Sequence, residues 1–106
     1  MTLALINGRV LTPEGWRDDV AVLLDGARIA AVLPAADPRV RDAQTHDLAG
    51  ATLLPGFIDV QVNGGGGVLF NDAPTVETIR QIGVGHRRYG TTGFLPTLIS
   101  DDADVM

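Results

Sequence analysis

The sequence predicts an α/β protein in which β-sandwich strands, residues 1–54, precede a strand–helix–strand unit, residues 55–106. Short apolar runs separated by turn-forming dipeptides fill the first half, a spacing typical of a β-sandwich. In the second half an apolar strand, a stretch with helical periodicity and a second apolar strand follow one another. Hydrophobic residues make up 45% of the 106 residues, which indicates a real core and excludes a disordered chain.

Turn chemistry sets the predicted hairpins of the first half. The apolar run Leu3–Ile6 ends at Asn7-Gly8, which favours a type I′ turn, and the strand Arg9–Thr12 follows. Residues 20–24 and 28–33 flank the dipeptide Asp25-Gly26 and are expected to pair as a second hairpin. A polar loop is expected from residue 34 to residue 42. Residues 47–54 are expected to form one more hairpin-like element.

The second half is predicted to form a βαβ unit. Phe57–Val62 is a strand, and the run Gly64–Gly67 is expected to exclude regular structure directly after it. Apolar residues then recur at three- and four-residue steps from residue 76, which predicts a helix capped by Asp72 or Thr75. With the strand Phe94–Ile99 this gives two parallel strands and a right-handed crossover.

Two features indicate part of a longer protein. A pair of parallel strands leaves open edges and needs further strands to bury both of its faces. Residues 100–106 also resemble the capped start of another helix. We therefore expect the chain to be the N-terminal segment of a longer protein.

Composition excludes several classes of function. The chain has 8 basic residues, all of them scattered arginines, and a formal net charge of −5, so a nucleic-acid partner is not expected. Cysteine is absent, which excludes disulfides and thiolate metal sites. No segment is apolar enough to cross a membrane and no signal peptide is recognisable, so we expect a cytoplasmic protein without a membrane partner.

Three polar side chains on one face of the first parallel strand are the best candidates for chemistry. Period-2 alternation places Asp59, Gln61 and Asn63 together, opposite a face of aliphatic residues. They point either into the mouth of a barrel, where active sites are built, or into solvent from an edge strand. The run Gly64–Gly67 beside them permits close approach of a ligand, although taken alone the run favours a plain flexible turn.

The remaining candidates favour structural roles. His86 lies on the apolar stripe of the predicted helix and is expected to be a packed core histidine, and His46 is expected to be exposed. The acidic residues Asp101, Asp102 and Asp104 resemble a helix start more than a metal site.

The order and spacing of four blocks resemble the amidohydrolase superfamily. These blocks begin at Asn7, Asp25, Asp47 and Leu54, and the last of them contains Pro55-Gly56-Phe57-Ile58-Asp59. Most members of the superfamily carry His-x-His after the first barrel strand, whereas this chain has Gln61-Val62-Asn63. That departure, the segments Phe70-Asn71-Asp72 and Leu95–Ile99, and the glycine run resemble one branch closely, the N-acetylglucosamine-6-phosphate deacetylases.

The resemblance implies a fold and an activity. It implies that the sandwich strands precede the first βαβ unit of a metal-dependent (β/α)8 barrel, truncated here, and that the full-length enzyme deacetylates N-acetylglucosamine 6-phosphate. It also implies one divalent, Zn-like metal ion in that enzyme, a small-molecule amino-sugar phosphate as partner and a homo-oligomer. The metal ligands and the catalytic Asp are implied to lie on later strands, so no catalytic or metal-binding residue is expected here.

Three expectations concern the candidate residues themselves. Gln61 and Asn63 are expected to contact the substrate or a metal-bound water, and Gly64, Gly65, Gly66 and Gly67 to form an active-site loop. Asp59 is expected to make a structural hydrogen bond. Two alternatives remain: another amidohydrolase of dihydroorotase-like or deaminase-like type, and a non-catalytic β-sandwich module that binds a partner.

Overall fold

The computed structural model describes residues 1–104, which divide into two compact units, one spanning Met1–Pro55 and the other beginning at Gly56. The predicted boundary lies one residue earlier. The first unit consists of seven strands and a short helix, which are β1 (Thr2–Ile6), β2 (Arg9–Thr12), β3 (Gly15–Arg17), β4 (Val20–Asp25), β5 (Arg28–Pro34), α1 (Pro38–Asp42), β6 (Gln44–Asp47) and β7 (Thr52–Leu53). They form a four-stranded sheet in the order β5-β4-β1-β6 and a three-stranded sheet in the order β3-β2-β7.

Strand β4 is the centre of the first unit because both of its faces are buried. Ala21 and Leu23 belong to an apolar cluster that also contains Val40 of α1. Val20 and Val22 belong to a second cluster that also contains Val10 of β2. A strand covered on both faces has no polar positions to alternate with, which explains the unbroken apolar run of its sequence.

The predicted hairpin at Asp25-Gly26 is confirmed, whereas the one at Asn7-Gly8 is wrong. Strands β4 and β5 pair antiparallel from Asp25↔Arg28 onwards. Strand β1 instead pairs antiparallel with β4 and parallel with β6, so both of its edges are occupied and β2 cannot fold back on it. Asn7 has a positive φ of 56°, and Gly8 is buried against Leu48.

Residues 47–54 do not form the predicted hairpin-like element. Strand β6 joins the four-stranded sheet beside β1, and β7 joins the three-stranded sheet beside β2, both in parallel. The connection from β1 to β2 and the connection from β6 to β7 therefore pass from one sheet to the other side by side. Hydrogen bonds join them from Leu48 N to Ile6 O (2.8 Å) and from Arg9 N to Ala51 O (3.0 Å).

Two short elements of the first unit, β3 and α1, were not predicted from the sequence. Pro13-Glu14 connects β2 to β3 in a hairpin that pairs Thr12 with Gly15. The stretch predicted as a polar loop through residue 42 contains α1, whose first turn is capped by Asp37: its Oδ1 accepts a hydrogen bond from Arg39 N at 2.9 Å. One buried side chain, Val40, secures this five-residue helix to the sheet.

The second unit contains the predicted βαβ arrangement. Its elements are β8 (Phe57–Val62), β9 (Gly64–Gly65), β10 (Val68–Leu69), α2 (Val76–Arg87) and β11 (Thr91–Pro96). Strands β8 and β11 pair in parallel, as predicted, with α2 between them in sequence. Thr75 is the cap of α2, accepting a hydrogen bond from Thr78 N at 3.2 Å. The second strand begins and ends three residues earlier than predicted, because Gly90, with φ of 98°, turns the chain directly after the helix.

The glycine run forms regular structure, contrary to the prediction. Strands β9 and β10 pair antiparallel to form a hairpin, residues 64–69, which we call the glycine hairpin. Its turn residues Gly66 and Gly67 have φ of 61° and 84°. Two successive positive φ values define the kind of tight turn that matches strand twist, and glycine adopts them without steric cost.

The helix predicted to begin within residues 100–106 is absent as far as residue 104, and the remaining two residues lie outside the described part of the chain. Asp101 Oδ1 accepts a hydrogen bond from Asp102 N at 2.8 Å, and its Oδ2 accepts one from Asn71 Nδ2 at 3.1 Å. Across residues 1–104, neither helix has the length and apolar character needed to cross a membrane.

Exposed apolar residues on β8 predict that the 106-residue chain associates in solution. Ile58 and Val60 are 76% and 71% exposed, and among the described residues their sheet has only two strands. Burying such a face lowers its free energy by about 25 cal/mol per Å² of apolar surface. Light scattering should therefore show a mass that rises with concentration, and the Ile58→Thr, Val60→Thr double variant should be closer to a monomer. A concentration-independent monomer of the unmodified chain would contradict the prediction.

Candidate active-site edge

The candidate site lies where the parallel strands β8 and β11 end and the glycine hairpin begins. Carboxyl ends of parallel strands are where α/β proteins place their binding groups, because the loops that follow can vary without disturbing the sheet. Asn63 follows β8 directly, Thr97 follows β11 directly, and Thr97 N donates to Val62 O at 2.8 Å.

Asn63 is anchored across the two strand ends. Its Nδ2 donates a hydrogen bond to the Thr97 carbonyl oxygen at 3.1 Å, and its own carbonyl accepts one from Phe70 N at 2.8 Å. The side chain is half-buried, and its Oδ1 has no hydrogen-bond partner among residues 1–104. Asn63 therefore presents a fixed acceptor atom at this edge.

Gln61 differs from Asn63 in being free to reorient. Its side chain is exposed and makes no hydrogen bond within the described residues, although its backbone N donates to Asp59 Oδ1 at 3.1 Å. The structural hydrogen bond expected of Asp59 is thus confirmed. Asn63 is thus held in place by its neighbours, whereas the Gln61 side chain can reorient to fit a ligand.

Helix α2 holds the glycine hairpin through two side chains. Gln81 Nε2 donates to Gly66 O at 3.0 Å, and His86 Nε2 lies 2.9 Å from Gly64 O. Because a carbonyl oxygen only accepts, Nε2 of His86 carries the proton. The imidazole is half-buried, with its centroid 6.5 Å from that of Phe94, so the prediction of a merely packed histidine is corrected: it donates to the hairpin.

Asn71 fastens the segment after the hairpin to the segment after β11. Its Oδ1 accepts from Ile99 N and its Nδ2 donates to Ile99 O, both at 2.8 Å, which imitates one step of a β-ladder. Asn71 also contributes to lowering the pKa of Asp101, after the larger effect of the Asp102 N–H. Asp101 therefore carries its negative charge at neutral pH.

Sequence reasoning missed the roles of Gln81, His86 and Asn71 because their partners lie 15 to 30 residues away. One signal was present. Gly83 and Gly85 sit inside a helix, where glycine costs about 1 kcal/mol relative to alanine, and such glycines indicate close approach of another group. A Cβ on Gly85 would lie 2.6 Å from Gly66 N.

The donors at this edge do not fit a Zn-like ion. Within residues 1–104 no group of three or more His, Cys, Asp or Glu side chains converges on one point. Gln61 and Asn63 offer amide groups, which bind such an ion poorly compared with imidazole. His46, the other histidine, is exposed on β6 of the first unit, as expected.

Comparison with known proteins identifies the family. No family model matches the chain. An N-acetylglucosamine-6-phosphate deacetylase from Haemophilus influenzae is 43% identical over 100 residues, which cover 94% of this chain and 26% of that protein. The crystal structure of an N-acetylglucosamine-6-phosphate deacetylase from Pasteurella multocida superposes on 99% of this chain and 27% of its own, with a TM-score of 0.87 and 35% identity. The chain belongs to the N-acetylglucosamine-6-phosphate deacetylase family.

The chain is also similar to a protein named for a different amino sugar. An N-acetylgalactosamine-6-phosphate deacetylase from Shewanella is 54% identical over 65 residues, 61% of this chain and 16% of that protein. The chain thus spans about a quarter or less of the length of these deacetylases. The resemblance inferred from the motifs is confirmed.

The fold speaks against the alternative of a β-sandwich interaction module. That alternative requires the strands after Leu54 to join the sandwich, but β8 and β11 pair with each other. The chain therefore carries a parallel pair of strands in a unit separate from the first seven strands.

Proposed function

We propose that this chain is part of an enzyme that hydrolyses the acetamide of N-acetylglucosamine 6-phosphate to glucosamine 6-phosphate and acetate. In this reaction water breaks the amide C–N bond, its hydroxyl goes to the acetyl carbon and a proton goes to the leaving amine. The observation that carries the proposal is the similarity to deacetylases over 94% of the chain, together with amide side chains at the ends of parallel strands.

Strands β8 and β11 are proposed to be the first two strands of a (β/α)8 barrel. Gln61 and Asn63 would then face the mouth of the barrel and contact the substrate or its attacking water, beside the loop Gly64–Gly67. Support comes from the parallel pairing of the two strands and from the acceptor atom Oδ1 of Asn63, which no neighbour uses among the described residues. That atom suits an N–H donor such as the substrate amide.

A divalent, Zn-like ion is also proposed for the full-length enzyme, together with a homo-oligomeric state and a cytoplasmic location. The described residues do not supply its ligands, so we place the metal ligands and the catalytic acid–base residue outside these 106 residues. What this chain contributes is positioning of the substrate.

The galactosamine epimer is a second candidate substrate, because the Shewanella relative is named for it. The two sugars differ only in the configuration of one hydroxyl group. The residues of this chain that we place at the site are amides and backbone groups, which can hydrogen-bond either epimer.

Purified full-length enzyme, assayed for acetate release from both epimers, tests the proposal. We expect turnover of N-acetylglucosamine 6-phosphate to exceed that of N-acetylgalactosamine 6-phosphate. We expect no turnover of unphosphorylated N-acetylglucosamine at comparable concentration.

The 106-residue chain alone should release no acetate and should bind no divalent metal with micromolar affinity in calorimetry, since a catalytic site needs about three protein ligands. If the full-length enzyme released no acetate from either sugar phosphate, the proposed reaction would be refuted.

A further inference from the structure

We propose that His86 and Gln81 are positioning residues, which fix the active-site edge by holding the glycine hairpin through its carbonyl groups. The expected effects on catalysis rest on the proposed function, whereas the support of the glycine hairpin by the two side chains rests on the observed geometry alone. Neither side chain is expected to touch the substrate.

The hairpin needs outside support because it is very small. Its two strands have two residues each, pairing Gly65 with Val68 and Gly64 with Leu69. A two-stranded hairpin is marginal in water even when it is longer, and four consecutive glycines add backbone entropy that folding must overcome. Within the described residues, the side-chain hydrogen bonds that reach its carbonyls are those from Gln81 and His86.

The contacts from α2 lead directly to the candidate site. His86 donates to the carbonyl of Gly64, the residue after Asn63. Asn63 in turn accepts from Phe70 N, just beyond the hairpin, and donates to Thr97 O. Gly64 is bonded directly to Asn63, so a hairpin that shifts at Gly64 also moves the chain at Asn63.

The backbones of the helix and the hairpin are also unusually close. A Cβ on Gly85 would lie 2.6 Å from Gly66 N and 2.9 Å from Gly66 Cα. This approach brings the Gln81 and His86 side chains within hydrogen-bonding distance of the hairpin. The helix therefore acts as a fixed support for a segment that cannot order itself.

Hydrogen exchange and kinetics of the full-length enzyme test the proposal together. His86→Phe keeps a ring beside Phe94 but removes the donor, whereas His86→Gln places an amide nitrogen the same number of bonds from the backbone. Gln81→Leu removes the second donor, and Arg80→Gln, on the exposed side of the same helix, is the matched control. Exchange is followed on peptides covering residues 63–71, and kcat and KM are measured with the acetamido sugar phosphate.

We expect His86→Phe to speed exchange in residues 63–71 at least tenfold and to lower kcat/KM about tenfold. His86→Gln should recover most of both losses, Gln81→Leu should show a smaller effect of the same kind, and Arg80→Gln should show neither. Unchanged exchange in His86→Phe would overturn the holding role whatever the activity. Faster exchange with unchanged kcat and KM would overturn the positioning role. An inactive wild-type enzyme would refute the proposed function, and the exchange data would still show whether His86 and Gln81 hold the hairpin.

Discussion

Alanine at both Gln61 and Asn63 of the full-length enzyme is expected to lower kcat/KM by at least a hundredfold while leaving the bound metal unchanged. If the two amides hydrogen-bond the substrate or its attacking water, their removal leaves the polar groups that they contact without a partner. Each such loss costs about 1–3 kcal/mol, or roughly ten- to a hundredfold in rate. Activity assays and metal analysis of the purified variants measure the two quantities separately.

The single variants should differ because the two side chains are held differently. Asn63→Ala also removes the bond from Nδ2 to Thr97 O, so it should loosen the ends of β8 and β11. Asn63→Asp keeps an Oδ1 acceptor but lacks that donor and adds a charge, and it serves as the isosteric control. Gln61→Ala breaks no hydrogen bond within the described residues and should affect activity alone.

A histidine pair at these positions offers a complementary test. Gln61→His combined with Asn63→His supplies the imidazole ligands that an amide pair lacks, so the bound metal per subunit should rise towards two.

Wild-type turnover of the double alanine variant at unchanged metal content would show that the amides have no catalytic contact, and our assignment of them would be wrong.

Local turn chemistry predicted the fold correctly only where the partner strand was also local. The dipeptide Asp25-Gly26 joins β4 to β5, whose apolar runs are adjacent in sequence, and the hairpin forms as predicted. Asn7-Gly8 carries the same local signal, and Asn7 does adopt a positive φ. The hairpin fails to form there because β1 already has β4 and β6 on its two edges, which no local pattern reveals.

Short elements and the holding contacts of the site escaped prediction for a related reason. Helix α1 has five residues and depends on Asp37 as its cap and on burial of Val40. The glycine hairpin depends on donors from α2, at Gln81 and His86. Their stability comes from tertiary contacts, and the propensities of their own residues indicate no structure. The candidate amides were identifiable because polar residues interrupt a strand that should be aliphatic.

Gly66→Ala is expected to be the most damaging single substitution in the glycine hairpin. Gly66 has φ of 61°, where a Cβ costs about 1–2 kcal/mol, and the added methyl group would lie 2.7 Å from the backbone oxygen of Gln81. Since a helix carbonyl cannot move aside easily, the overlap adds about 1–3 kcal/mol. Gly67→Ala is the matched control, because Gly67 also has a positive φ, 84°, but no atom lies within 4 Å of its added Cβ.

The comparison separates backbone strain from the close approach of helix and hairpin. In the full-length enzyme, Gly66→Ala should lower kcat/KM by about a hundredfold and speed amide exchange in residues 63–71, since the hairpin must leave its place beside Gln81. Gly67→Ala should lower kcat/KM by about tenfold or less and keep the hairpin protected, because it strains the turn without displacing it. Equal losses of activity in the two variants would mean that the packing of the hairpin against α2 has no part in forming the site. Protection in Gly66→Ala as strong as in the wild type would contradict the predicted displacement directly, whatever the kinetics.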